Sequence, residues 1–252
     1  MKSEKIFLVL LAAVMPLYSQ DAGSIVKSCI AALGGESGIS RFSDFEAEGT
    51  IQVSMMGREF SGKLKWIRKM RQSWQRAEFS FGKDIYITAG AYNGRSAYSE
   101  SMGNVVDVPA LNYESDLRHG MDRLLDPAAS YSLVRETEIE GRPAYLMEAS
   151  STDRKTVFCI DKENLRVLEI VFEDDYFGEN DTRERLEKRI RYSDYQEMAG
   201  GPFPMLITEY EKGEEKRRCR LVEIRFNPVI DGKMFNKPDQ KLDLRYWEEK
   251  MD

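Results

Sequence analysis

Period-two alternation runs through most of this sequence. Ile51, Val53 and Met55 fall on one side of an extended segment, with Gln52 and Ser54 on the other. In the next segment Leu64 and Trp66 oppose Lys63 and Lys65. One apolar and one wet face is the mark of an antiparallel, half-buried strand. The pattern recurs through SWQRAEFSF, DIYITAG, SAYSES, SLVRETEIE, AYLMEAS, KTVFCI, RVLEIVFED, RLEKRIRYSDY, MLITEYEK and RRCRLVEIRF. This makes about eleven or twelve strands, joined mostly by short turns such as GREFSG, RKMR, GRP and DKEN.

Helical spacing is confined to two stretches. Ser24 is predicted to cap a helix carrying Ile25, Cys29, Ile30 and Leu33, which Gly34-Gly35 ends. Tyr113, Leu117, Met121 and Leu125 recur at every fourth position and predict a second amphipathic helix, stopping before Pro127. A long run of strands does not stay flat, because twist curls it and open edges are adhesive. The expected fold is mainly β (α+β). A long antiparallel meander of about 11 strands forms an unclosed, strongly curved β-barrel covered by two or more helices. Gly200-Gly201, followed by Pro202 and Pro204, reads as the corner at which the sheet turns.

The chain opens with Lys2 and Lys5, an apolar run from Ile6 to Val14, then Pro16 and small or polar residues. That is the order of a secretory signal peptide, and the run is about half the ~20 residues a membrane span requires. Residues 1–19 are expected to be removed, leaving 20–252 as a single periplasmic domain with no stable membrane span. The segment before Cys29, IVKS, carries no lipid-attachment signal. The chain's net charge of −6 becomes one unit more negative without the leader, which argues against nucleic acid as a partner. Three cysteines without a CxxC spacing suggest no disulfide framework. Alternation sets Cys159 opposite Phe158, and Cys219 opposite Val222, Ile224 and Phe226. Both are therefore expected to point outward and not to be bonded to each other.

Catalytic patterns are sparse. His119 is the only histidine, so a triad or histidine-rich metal site would rest on one imidazole. Ser24 and Lys27 have S-x-x-K spacing but open a helix, where a serine serves as a cap. The acidic stretch from Glu173 to Asp181 lacks the calcium-loop spacing of an EF-hand. In KLKWIRKMR and KRRCR the basic residues alternate with others, as on an outer sheet face. No enzyme activity, metal or cofactor is expected. The candidate binding residues are apolar: Ile51, Val53, Leu64, Trp66, Phe79, Phe81, Met147, Phe158, Ile170 and Phe172 on the inner face, with Leu117, Met121 and Leu125 facing them from the second helix. Such a set describes a filled core or the wall of a cavity, and the sequence leaves both open.

Several segments, taken in order, carry a likeness. AALGGESGISRFSDFEAEGTI, AYNGRSAY, GRPAYLMEASSTDRKTVFCIDKENLRVLEI, YSDYQEMAGGPFP and VEIRFNPVIDGKMFNKPD together resemble the outer-membrane lipoprotein-sorting, LolA-like group of secreted bacterial proteins. The resemblance runs from about Ile25 to Asp239 and implies an unclosed β-barrel whose apolar concavity is covered by helices. It also implies a periplasmic carrier for the acyl chains of lipoproteins or other lipids. The alternative is an envelope sensor or assembly module binding another protein through the curved sheet. The chain is longer than the carrier proper, and the carrier's lid arginine has no counterpart that can be assigned in it.

Overall fold

The computed structural model describes residues 21–55, 57–118, 120–151, 154–177 and 182–238. The predicted leader, His119, the centre of the acidic loop and the acidic tail lie outside these residues. The strands are β1 (Asp44–Met55), β2 (Arg58–Lys69), β3 (Gln72–Phe81), β4 (Asp84–Tyr92), β5 (Ala97–Ser101), β6 (Asn104–Val108) and β7 (Ser130–Ile139). They continue with β8 (Arg142–Ser151), β9 (Arg154–Asp161), β10 (Val167–Phe177), β11 (Arg183–Met198), β12 (Gly201–Glu211) and β13 (Glu214–Phe226). All thirteen join one open antiparallel sheet in the order β6-β5-β4-β3-β2-β1-β13-β12-β11-β10-β9-β8-β7.

The meander is therefore split. β6 and β7 are consecutive in the chain yet form the two edges, while β1 pairs with β13 in the middle. Sequence alternation missed β6, a five-residue strand with exposed Asn104, Val106 and Asp107. The segment REFSG belongs to β2, so the first hairpin turns earlier than GREFSG suggested.

The helices are α1 (Ala22–Ala32), α2 (Gly35–Ser40) and α3 (Ala110–Arg118). Asp21, rather than Ser24, stands at the start of α1, and no side chain caps it. The predicted second helix is broken. Gly120 takes an extended backbone (φ −76°, ψ −178°), and the chain resumes as a 3-10 segment, Met121–Leu125. α1 lies against β7, α2 against the 3-10 segment and β12, and α3 against β10.

The glycine corner fixes the helices to the sheet. Gly200 and Gly201 both have positive φ and press against Gly34 in the α1–α2 corner, where a Cβ on Gly201 would stand 2.8 Å from Gly34 Cα. Arg41 closes the contact. Its guanidinium donates to the carbonyls of Ala199 (2.6 Å), Gly200 (2.8 Å) and Gly201 (3.0 Å), and through Nε to Gly38 (3.3 Å). The charge lies 4.6 Å from the centre of the Phe226 ring. Burial lowers the Arg41 pKa from its ordinary value; four carbonyls take the place of a carboxylate partner. Phe203, fully buried, stacks on Phe42 (4.5 Å) and meets Phe45 edge-on (5.8 Å), which anchors the same corner from beneath.

The cysteines correct a sequence reading. Cys159 and Cys219 are both buried free thiols, and Cys219 faces inward rather than outward. β13 carries a bulge: Glu48 pairs with Glu223, but Gly49 pairs with Leu221, leaving Val222 unpaired and 73% exposed. The extra residue reverses the phase, so Cys219 and Leu221 share the inner core with Ile224 and Phe226. Cys159 does lie outside that cluster, beside Glu169, Arg189 and Arg191, which act on it electrostatically. Strands β10, β11 and β12 separate the two thiols in the sheet order. Burial pushes the pKa of Cys159 up to about 12 and that of Cys219 up to about 11, which suppresses thiolate reactivity.

Candidate ligand-binding hollow

The inner face of the sheet is filled at one end and hollow at the other. Met147, Phe158 and Ile170 are completely buried, Phe172 nearly so, and all four pack in the main core. Leu125 packs against that core without lining any of the spaces described below. These five predicted residues therefore belong to the packed side of the concavity.

Beside them, β1 to β4 and β13 enclose an apolar hollow of about 370 Å³. Ile51, Val53, Leu64, Phe79 and Phe81 line it, and Phe81, 46% exposed, stands at its rim rather than on its floor. Phe60 and Tyr86 join them, with Phe60 and Phe81 in edge contact at 5.5 Å. A second space of about 120 Å³ shares Gln75, Tyr113 and Arg217 with the first. Trp66, Leu117 and Met121 line this smaller space. Trp66 meets Phe45 edge-on at 5.0 Å and donates from Nε1 to Ser73 Oγ at 3.4 Å.

Two inward arginines were read from sequence as outer-face residues. Leu64, Trp66 and Arg68 share one phase of β2, and Arg217, Cys219 and Leu221 share one phase of β13. Extending the alternation of Leu64 and Trp66 by two residues would have found Arg68, whereas Arg217 follows Cys219 inward through the bulge at Val222. Arg217 donates to Gln75 Oε1 (2.6 Å) and pairs with Glu209, while its Nε has no acceptor among the described residues. Burial opposes its charge, but Glu209 more than compensates, and the pKa is raised. Three other basic residues of the two runs pair on the outer face: Lys65 with Glu46 (3.0 Å), Arg218 with Glu215 (2.6 Å) and Arg220 with Asp194 (2.7 Å). Of the acidic stretch, Asp175 pairs with Arg183, and Glu173 with Arg185 at 3.1 Å.

α3 reaches the hollow through Tyr113 and borders the smaller space with Tyr113, Asp116 and Leu117, and it is held largely by polar bonds. Tyr113 and Leu117 are only half-buried. Asn112 donates to the Phe177 carbonyl (3.1 Å) and accepts from its N–H (2.8 Å). Asp116 accepts from Tyr176 Oη (2.8 Å) and Lys188 Nζ (2.9 Å), and Glu114 accepts from Tyr92 Oη (2.8 Å). Burial disfavours charge on Lys188, yet Asp116, Glu209 and Glu211 together raise its pKa. The following 3-10 segment is different: Met121 and Leu124 are buried in the main core.

Compared as a sequence, the chain matches no family model and no curated protein. Compared as a structure, it is similar to a domain of an outer-membrane lipoprotein-sorting protein from Vibrio parahaemolyticus. The TM-score is 0.51 at 13% identity, over 85% of this chain and 96% of that one. A LolA superfamily protein from Nitrosomonas europaea gives a TM-score of 0.52 at 15% identity, over 86% and 98% of the two chains. The chain has the LolA-like fold: a mainly β, curved and unclosed sheet with few helices.

Proposed function

We propose that the protein is a secreted periplasmic carrier of acyl chains, residues 20–252 acting as one domain after removal of the leader. The observation that carries this reading is the apolar hollow on the inner face of the sheet, which α3 meets at Tyr113. Its volume of about 370 Å³ falls within the ~300–1,000 Å³ usual for small-molecule sites. Each methylene buried there contributes about 0.8 kcal/mol. Ile51, Val53, Leu64, Phe79 and Phe81 form the chain-binding wall, and Trp66, Leu117 and Met121 continue it into the smaller space. Because polar contacts attach α3, it can lift without exposing a large apolar face. The fold shared with a lipoprotein-sorting domain supports the same reading. Among the described residues no helix is long and apolar enough to cross a membrane.

Filling the hollow tests this. Ala77 is buried and lines the hollow, so Ala77→Phe places a ring where the ligand would lie. The variant should melt within about 3 °C of wild type and lose binding of a fluorescent fatty-acyl probe. Mass spectrometry of protein purified from its native envelope should also detect bound lipid. A protein that never carries lipid, and whose probe signal survives Ala77→Phe, would refute the carrier. A defined protein partner beside an empty interior would favour the envelope-sensor alternative.

A further inference from the structure

A polar cleft of about 500 Å³ borders the 120 Å³ space. Ser43, Met70, Arg71, Gly94 and residues of α3 and the 3-10 segment surround it. Among the described residues, three arginines, Arg68, Arg71 and Arg123, and three carboxylates, Glu114, Asp122 and Asp126, line its walls. The side chain of Arg68 is 10% exposed and that of Arg123 only 5%. Neither Nε finds an acceptor among the described residues.

Arg68 is the less satisfied of the two. Its ion-pair contact is Asp122 Oδ1 at 3.8 Å, outside hydrogen-bond reach, and that oxygen itself has no donor among the described residues. Arg123, by contrast, donates to Asp126 Oδ2 (2.5 Å) and Ser151 Oγ (3.0 Å). A buried guanidinium with open donors is costly unless something accepts from it. Arg68 and Leu117 line both the polar cleft and the 120 Å³ space. That space in turn shares walls with the apolar hollow. Apolar hollow, small space and polar cleft thus follow one another in the order of tail, neck and head of an amphiphile.

Resting on the carrier reading, we propose that the cleft is the headgroup subsite for a zwitterionic lipid, one bearing a phosphate and an ammonium. The phosphate oxygens accept from Arg68 and Arg71, the latter exposed at the cleft mouth. The ammonium meets the carboxylates of Asp122 and Glu114. The balance of the lining decides against a purely anionic head, which would face three carboxylates, and against an uncharged one, which would leave Arg68 unanswered.

Calorimetric titration of the protein with four probes tests the assignment. These are lysophosphatidylethanolamine, lysophosphatidic acid and monoacylglycerol of equal chain length, and inorganic phosphate. The zwitterion should bind at least about tenfold more tightly than either other lipid. Arg68→Met should remove that advantage and leave monoacylglycerol binding within about twofold. If Arg68→Met does not fold, Arg68→Gln serves, and the wild-type lipid ranking decides by itself. Equal affinity for the zwitterion and either competitor overturns the subsite while leaving the carrier intact. Inorganic phosphate binding as tightly as the zwitterion marks a free-phosphate site and also overturns it. If none of the lipids binds, the carrier reading fails and takes this one with it.

Discussion

Gly34→Ala should remove a large part of the protein's folding stability. Gly34 has φ +92°, and a Cβ there would overlap the Gly200 carbonyl oxygen and lie 3.1 Å from Gly201 Cα. Neither side can retreat, since Arg41 binds the carbonyls on both. Left-handed backbone alone costs alanine about 1–2 kcal/mol. The clash raises the total above about 4 kcal/mol, a large part of the 5–15 kcal/mol typical of a folded protein. Gly82 is the control: its φ is +65°, but nothing lies within 4 Å of a Cβ there. Gly82→Ala should cost only the backbone term, about 1–2 kcal/mol. Urea unfolding of both variants checks this, and equal losses would show that the corner is not tightly packed.

Met121→Asp should be nearly as damaging, while Leu117→Asp should not. Met121 is 1% exposed in the main core, and a carboxylate there is desolvated. Arg68 lines the same small space and offsets part of the cost, leaving about 3 kcal/mol or more. Leu117 is half-buried on α3, so Leu117→Asp should lower stability by under about 1 kcal/mol and weaken uptake of an acyl probe. Thermal melts set beside probe titrations separate the two. Similar melting temperatures for both variants would mean that the 3-10 segment moves with α3 as one cover.

That division was hidden by a spacing that continues through a break. Tyr113, Leu117, Met121 and Leu125 keep the four-residue interval of one helix, but the extended backbone at Gly120 divides them into a displaceable half and a fixed half. Alternation revealed the strands well because each buries one face, and the LolA-like likeness placed the helices over the concavity. It did worse where a single residue changes phase. The bulge at Val222 turned Cys219 inward and Arg217 with it, and the charge of Arg68 concealed that it sits in an inward phase. Filled core and hollow could not be told apart, since Leu64 and Phe158 are equally apolar strand residues. Their difference lies in what stands opposite them, which depends on how far the sheet curls.

The pairing of β1 with β13 has a consequence for how the chain folds as it is made. The other strand pairings in the sheet are hairpins between sequence neighbours, formed locally and early. The β1–β13 joint closes a loop running from Asp44 to Phe226, and it cannot form until β13 has emerged. Until then β1 is an unpaired edge, and the first six strands wait as an incomplete sheet exposed to aggregation. Crossing a membrane from its N-terminus, such a chain would need a holding chaperone for the interval between β6 and β13. Contact order, more than core quality, then sets its folding rate.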